Sequence, residues 1–208
     1  MQNYYKGNEI EVGLDEVARG CLIGRVYTCA VIWNPEFEPD EDNLYLNIKD
    51  SKKLSKRKRE EIEQFIKDNV LDYHISYLDE KEIDKLNILQ ATMKSMHNSL
   101  NGLSIKFDNI LVDGKYFKPY MNQEGDFISH QCFEKGDSKF YSIACASILA
   151  KVEHDRYIKQ LCEEYPELDE KYDLLSNMGY GTKKHIEGIK KYGISLFHRK
   201  TFGICKEY

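Results

Sequence analysis

The chain has 208 residues, a formal net charge of −5, and a composition that is 41% hydrophobic and 31% charged. This length and composition predict one sizeable core and argue against binding of nucleic acid through bulk positive charge. We find neither an apolar run of membrane-spanning length nor the apolar core of a signal peptide, so we expect a soluble, cytoplasmic protein. The six cysteines are scattered without a Cys-x-x-Cys pair, which favours reduced thiols over a zinc site or disulfides.

The first predicted element is an apolar run at residues 12–14, which leads into two adjacent acids, Asp15 and Glu16. This pattern is typical of a buried strand that ends at a cleft, although an acidic surface turn is the alternative. Two adjacent carboxylates repel each other unless a cation lies between them. The small residues of the following turn, 18–20, allow its backbone amides to approach a ligand closely.

Further along the chain, hydrophobic patterning predicts alternating strands and helices. The predicted strands are residues 24–33, 71–77, 108–113 and 127–133, and the predicted helices are residues 55–68, 87–100, 139–165 and 183–192. This order predicts an α/β fold with a mixed sheet, in which sites lie beyond the strand ends. A basic run at residues 50–59 contains Lys52 and Lys53, and it is either a solvated helix start or a functional surface.

Two further acids also lie at the ends of predicted elements. Asp113 ends a short apolar strand before Gly114, and Asp137 lies at the entrance of a helix rich in small residues. Several carboxylates without histidine or cysteine ligands suit a hard cation such as Mg²⁺ or Mn²⁺. Hydrolysis of a phosphodiester with two such ions is the usual chemistry of this kind of site. No Gly-x-Ser-x-Gly elbow and no phosphate-binding P-loop occurs in the sequence.

These motifs resemble those of the ribonuclease HII family, the type 2 ribonucleases H. The opening motif, residues 13–20, reads Gly-Leu-Asp-Glu-Val-Ala-Arg-Gly, where the family usually has Gly-Ile-Asp-Glu-Ala-Gly-Arg-Gly. Similar blocks follow in family order over nearly the whole chain, at residues 50–54, 87–92, 111–114, 135–137, 142–152, 179–185 and 198–202. Each block alone is weak, but together they are highly specific.

The resemblance implies an RNase H-like fold in a single domain, residues 1–208, with a central mixed sheet flanked by helices. It also implies a small helical C-terminal portion from about residue 160. The implied activity is two-metal-ion hydrolysis of RNA in RNA–DNA hybrids and incision 5′ to ribonucleotides embedded in duplex DNA, which leaves 5′-phosphate and 3′-hydroxyl ends.

By the matching motifs, the implied site falls into two sets of residues. The metal-binding catalytic acids would be Asp15, Glu16, Asp113 and Asp137. The substrate-binding residues would be Ala18, Arg19 and Gly20 at the ribose 2′-hydroxyl, Tyr180 on the neighbouring deoxyribose, and Lys52 and Lys53 at phosphates. For Tyr180, a core aromatic beside a helix start is the alternative, and the roles of His198 and Arg199 stay open.

One departure concerns the turn, where Ala18 replaces the usual glycine and Cys21 the usual proline. If the backbone there has a positive φ, alanine costs about 1 kcal/mol, and if φ is negative, the methyl group costs almost nothing. The altered turn motivates a second hypothesis, a hybrid-only nuclease like ribonuclease HIII, and a third is a non-catalytic hybrid-binding module. With no evident clamp-binding peptide and no extra N-terminal domain, we expect a stand-alone monomer.

Overall fold

A six-stranded mixed sheet forms the centre of the part of the chain that the computed structural model describes, residues 1–37, 48 and 56–208. Its strands are β1 (Glu11–Val17), β2 (Val26–Ile32), β3 (Asp72–Leu78), β4 (Asn109–Asp113), β5 (Tyr120–Met121) and β6 (Phe127–Phe133), in the spatial order β3-β2-β1-β4-β6-β5. Strand β1 is antiparallel to β2 and parallel to β4. The register pairs Leu14 with Val112. Asp15 and Asp113 therefore lie next to each other at the carboxyl ends of these two central strands.

Helices cover both faces of this sheet. They are α1 (Lys56–Asn69), α2 (Glu80–Leu86), α3 (Ile88–Asn101), α4 (Tyr141–Glu164), α5 (Pro166–Tyr172), α6 (Leu174–Asn177) and α7 (Lys183–Tyr192). On one face, α3 packs its methionines Met93 and Met96 against Val12 and Leu14 of β1. On the other face, the small residues of α4 pack against β2 and α1. A Cβ atom at Gly13 would lie 2.3 Å from the carbonyl carbon of Ser142, so glycine is what allows α4 to approach β1 so closely.

The C-terminal helices enclose a hydrophobic core of their own. Ile158 near the end of α4 packs there with Leu168, Leu174 and Ile189 from the three following helices. Ile23 from the segment between β1 and β2 joins the same core. Two isolated bridges, Cys21 to Tyr180 and Ile23 to His198, connect this segment to the C-terminal part. Tyr157 of α4 packs against both this core and the core between α4 and the sheet.

The predicted α/β fold with a mixed sheet is confirmed, and the strand at 127–133 and the helix at 183–192 agree to the residue. The predicted end of the first strand differs, because pairing with β2 continues through Val17, and Asp15 and Glu16 therefore lie within β1 rather than after it. The predicted basic residues Lys52 and Lys53 lie outside the described residues. Among the helices that are described, none is long and apolar enough to cross a bilayer.

Candidate active site

A cavity of about 530 Å³ opens where β1 and β4 end, on the side of the sheet covered by α4. Three of the four predicted acids, Asp15, Glu16 and Asp113, line it. The other residues that line it are Val17, Ala18, Arg19, Gly20, Ser147, Ile148, Lys151 and Tyr180. The cavity thus brings the predicted acids and most of the predicted substrate-binding residues together.

Asp15 is the most buried of the predicted acids, with 4% of its surface exposed. Its Oδ1 accepts a hydrogen bond of 2.7 Å from the backbone amide of Glu16, and its carboxyl group also interacts with the Ser147 side chain. Burial, followed by the negative charges of Glu16 and Asp113, raises the pKa of Asp15 well above its usual value. The site therefore holds negative charge that its own cations do not fully compensate.

Glu16 is held by a neighbouring cation. Arg19 donates to its Oε1 at 3.0 Å, and this pair bridges the end of β1 and the following turn. Burial raises the pKa of Glu16, while the guanidinium of Arg19 acts in the opposite direction.

Asp113 and Asp137 are linked through the loop before α4. The backbone amide of Gly136 donates to Asp113 Oδ1 at 2.6 Å, and Asp137 follows in the 3-10 turn Gly136–Ser138. Asp137 is half-buried and does not line the cavity. In the described ranges, no three Asp, Glu, His or Cys side chains stand in an arrangement that could hold a metal ion as they are.

The donor chemistry nevertheless fits a hard divalent cation. The cavity presents only carboxylate oxygens as charged ligands, and oxygen ligands are what Mg²⁺ and Mn²⁺ prefer. Asp15 is buried against two like charges, which is an arrangement that a bound cation stabilises.

The turn after β1 adopts a left-handed conformation at its first residue. Ala18 has a φ of +68° and is 2% exposed, whereas Arg19 and Gly20 are exposed. Of the two conformations considered for this alanine, the strained one is therefore present. The carbonyl of Ala18 accepts from the amide of Cys21 at 3.3 Å, which closes the turn.

Tyr180 forms the wall of the cavity beside this turn, and 38% of its surface is exposed. Its hydroxyl interacts with the backbone of Ala18 and with the thiol of Cys21, and its backbone forms the bridge to Cys21. Burial raises the pKa of Tyr180 to about 12, so the hydroxyl stays protonated at neutral pH. A partly exposed ring fixed at its hydroxyl end presents an aromatic face to the cavity.

Two polar cavity residues were not predicted from the sequence as site residues, Ser147 and Lys151, which lie one turn apart on α4. Lys151 donates to Asp155 at 2.7 Å, and its Nζ lies 5.8 Å from the centre of the Tyr180 ring. Their i, i+4 spacing on a helix that follows Asp137 was the available signal, because such residues share a helix face.

The arrangement of strands and helices is similar to that of solved ribonucleases H. The ribonuclease H2 from Pyrococcus horikoshii OT3 superposes with a TM-score of 0.75 and 25% identity, covering 95% of both chains. The structure of Bst-RNase HIII in complex with Mn²⁺ gives a TM-score of 0.63 at 20% identity and covers 95% of this chain and 68% of that one. The fold and the carboxylate-lined cavity define an endonuclease of the RNase H-like class.

A family model described as Ribonuclease HII matches residues 12–205. The ribonuclease HII of Christiangramia forsetii is 42% identical over 207 residues, which cover 100% of this chain and 97% of that protein. The chain belongs to the ribonuclease HII family. The predicted RNase H-like fold and enzyme class are thereby confirmed: the protein is an endoribonuclease that acts on RNA–DNA hybrids.

Proposed function

We propose that Asp15, Glu16, Asp113 and Asp137 hold a divalent metal, Mg²⁺ or Mn²⁺, and that the enzyme also incises 5′ to ribonucleotides embedded in duplex DNA. The products of this cleavage carry 5′-phosphate and 3′-hydroxyl ends. The observation that carries the proposal is the burial of Asp15 against Glu16 and Asp113 in one cavity with the left-handed turn and Tyr180.

The acids would supply the oxygen ligands, and metal binding would bring them into coordinating positions. A bound divalent metal would supply an activated water and would stabilise the departing oxygen. Ser147 and the amide of Glu16 fix the direction of the Asp15 carboxylate, and the amide of Gly136 does the same for Asp113. Arg19 offsets the charge of Glu16, which limits repulsion within the cluster.

The turn and Tyr180 recognise the sugar at the cleavage position. Because Ala18 is left-handed, the exposed backbone of Arg19 and Gly20 follows a tight turn that can reach a 2′-hydroxyl without reading a base. The face of Tyr180 stacks on the neighbouring deoxyribose. Lys151 of the cavity, and the predicted Lys52 and Lys53, contact phosphates and give affinity without sequence preference.

A hybrid-only activity is the second candidate function, and the alanine in the turn is what favours it. The left-handed φ of Ala18 supports incision at single ribonucleotides instead, because the turn keeps a conformation in which glycine is usual. We further propose that the enzyme works as a single-domain monomer in the cytoplasm, and light scattering of the purified protein tests the monomeric state.

The test compares a continuous RNA–DNA hybrid with duplex DNA that contains one ribonucleotide, each with Mg²⁺ and with Mn²⁺. We expect the wild-type enzyme to cut both substrates and to cut the second one 5′ to the ribonucleotide. Cleavage of the hybrid alone would establish the hybrid-only activity. If neither substrate were cut in the presence of metal, the remaining hypothesis would be a non-catalytic hybrid-binding module.

Asp113→Asn provides the matched control for the metal site. The asparagine retains an oxygen that accepts from Gly136 but lacks the charge, so we expect a folded protein without measurable cleavage. We expect Mn²⁺ to raise the Tm of the wild type by binding the native state, and this rise should be strongly reduced in the variant. An active Asp113→Asn variant would contradict the assignment.

A further inference from the structure

Two buried histidines of the C-terminal part form a direct hydrogen bond. His185 on α7 is 0% exposed, and His198 in the following segment is 1% exposed. Their Nε2 atoms lie 3.1 Å apart, so one ring donates and the other accepts. Neither residue lines the cavity or received a role in the site described above.

The partners at the two ends of the pair determine which ring donates. The backbone amide of Ser195, which can only donate, points at His198 Nδ1 over 2.9 Å, so this nitrogen carries no proton. The carbonyl of Tyr180, which can only accept, lies 3.0 Å from His185 Nδ1, so that nitrogen carries one. The protonation of the two Nδ1 atoms is therefore determined by two different backbone groups.

A single arrangement of protons satisfies both conditions with two neutral rings. The Nε2–H of His198 donates to His185 Nε2, and the Nδ1–H of His185 donates to the Tyr180 carbonyl. The ring of Tyr172, 4.7 Å from that of His198, and the hydroxyl of Ser195 pack against the pair, and both are uncharged at neutral pH. An additional proton on either ring would place two N–H groups against each other.

Burial keeps the pair in this neutral state. It lowers the pKa of His198 to about 3, with a smaller contribution from His185, and it also lowers the pKa of His185.

The chain of hydrogen bonds ends on the backbone of Tyr180 at a strained position. Met178 and Gly179 precede Tyr180 with φ angles of +50° and +83°. For a non-glycine residue, such a conformation persists only where surrounding contacts impose it. The Tyr180 carbonyl accepts from the amide of Thr182 at 2.8 Å as well as from His185, so two donors fix its direction.

We propose that His185 and His198 are positioning residues for Tyr180. The directed chain from the Ser195 amide to the Tyr180 carbonyl holds the Tyr180 ring against the turn at residues 18–20, and incision at embedded ribonucleotides depends on this placement. The inference rests on the proposed role of Tyr180 in contacting the substrate sugar.

Nitrogen NMR of the histidine rings tests the proton arrangement without an activity assay. At pH 7 we expect His185 to be the Nδ1–H tautomer, which is the less common one in water, and His198 to be the Nε2–H tautomer. The opposite tautomers, or a positively charged ring at either position, would overturn the inference.

Two variants of His185 test whether its donor matters. Asparagine places an amide N–H near the position of Nδ1 and can still donate to the Tyr180 carbonyl, whereas leucine of similar size cannot. We expect His185→Leu to raise KM for duplex DNA with one ribonucleotide about tenfold with a smaller change in kcat. His185→Asn should restore most of the loss at equal Tm, and an equal defect in both variants contradicts a positioning role.

A double-mutant cycle with Tyr180→Ala separates this inference from the proposed function. If His185 acts through Tyr180, His185→Leu should add less than a twofold effect in the Tyr180→Ala background. A full tenfold effect in that background overturns the inference and leaves the role of Tyr180 intact. A Tyr180→Ala variant that cuts like the wild type overturns the proposed role of Tyr180 itself, whatever the tautomers are.

Discussion

Ala18 holds a left-handed backbone conformation that glycine adopts without steric cost, and its φ is +68°. We expect Ala18→Gly to relieve this strain and to raise the free energy of unfolding by about 0.5 kcal/mol, after the greater entropy of glycine in the unfolded chain is subtracted. Urea unfolding followed through the fluorescence of the buried Trp33 measures this change.

Ala18→Val is the control for that prediction. A β-branched residue tolerates a positive φ much less well than alanine, so the same measurement should show a clear loss of stability. If the Ala18→Gly variant were less stable than the wild type, the backbone at Ala18 would not be strained.

At this scale the sequence located most of the candidate site. Asp15, Glu16, Asp113, the turn at 18–20 and Tyr180 line one cavity. The acids and the turn follow apolar strand residues in the sequence, whereas a site role for Tyr180 was implied only by the resemblance to the family. The partners of these residues could not be predicted. The contacts of Asp113 with Gly136 and of His185 with His198 join positions whose proximity depends on tertiary packing. The assignment of all four acids to the metal stays a prediction.

Gly13 sets the distance between β1 and α4. A Cβ atom there would lie 2.3 Å from the Ser142 carbonyl carbon and 2.4 Å from the Ile143 nitrogen, which are backbone atoms that cannot rotate away. We expect Gly13→Ala to push the helix off the strand, at a cost of about 3 kcal/mol in the free energy of unfolding. Cleavage should also fall, because Ser147 moves away from Asp15.

Gly20→Ala is the matched control for that steric argument. The nearest atom to its added Cβ is 4.0 Å away on Tyr180, and Gly20 is not among the residues with positive φ. We therefore expect its Tm to stay close to that of the wild type. Equal destabilisation by both substitutions would show that the contact with α4 is not what requires glycine in β1.

Arg199 ties the C-terminal segment to the loop between β1 and β2. Its guanidinium is fully buried and donates to the carbonyls of Arg19, Gly24 and Arg25 at 3.1, 2.8 and 2.9 Å. Burial lowers its pKa to about 10, so it stays charged at neutral pH.

We expect Arg199→Lys to cost about 2 kcal/mol of unfolding free energy, because an ammonium group cannot reach three carbonyls in this planar arrangement. The urea midpoint measures the loss, and Lys200→Ala at the exposed neighbour should leave it nearly unchanged. Equal midpoints for Arg199→Lys and the wild type would contradict the anchoring role.

Among the elements, the long ones were predictable and the short ones were not. Helix α3 and strand β3 are long enough to show a repeated apolar pattern. Helices α2 and α5 have only 7 residues each, and α6 has 4, so they complete at most two turns and carry little periodic signal. Strand β5 consists of 2 residues and exists through its pairing with β6.

Buried neutral histidines make the whole molecule sensitive to acid. The pKa of His198 falls from its usual 6.5 to about 3 on folding, and burial also lowers the pKa of His154 and His185. Between pH 6.5 and 3 the unfolded chain binds protons that the folded chain does not, so stability decreases as the pH falls through this window. For His198 alone, we expect a loss of about 2 kcal/mol between pH 7 and pH 5.

The comparison of the wild type with His198→Gln isolates this contribution. The raised pKa of Asp15 acts in the opposite direction as the pH falls, but it is common to both proteins and cancels in the difference. Urea unfolding at pH 7 and pH 5 should show a smaller loss in the variant, and equal losses would mean that His198 titrates normally in the folded protein.

The core of the C-terminal helices is separate from the core of the sheet apart from Tyr157 of α4, so we expect the two parts of the site to open at different rates. We expect amide hydrogens of the central strand β1 to exchange with solvent only when the entire molecule opens, whereas helices around a separate core can open as an independent unit. The acids belong to the first unit and Tyr180 to the second. As denaturant is added below the main transition, discrimination between substrates should therefore be lost before the capacity to cut RNA.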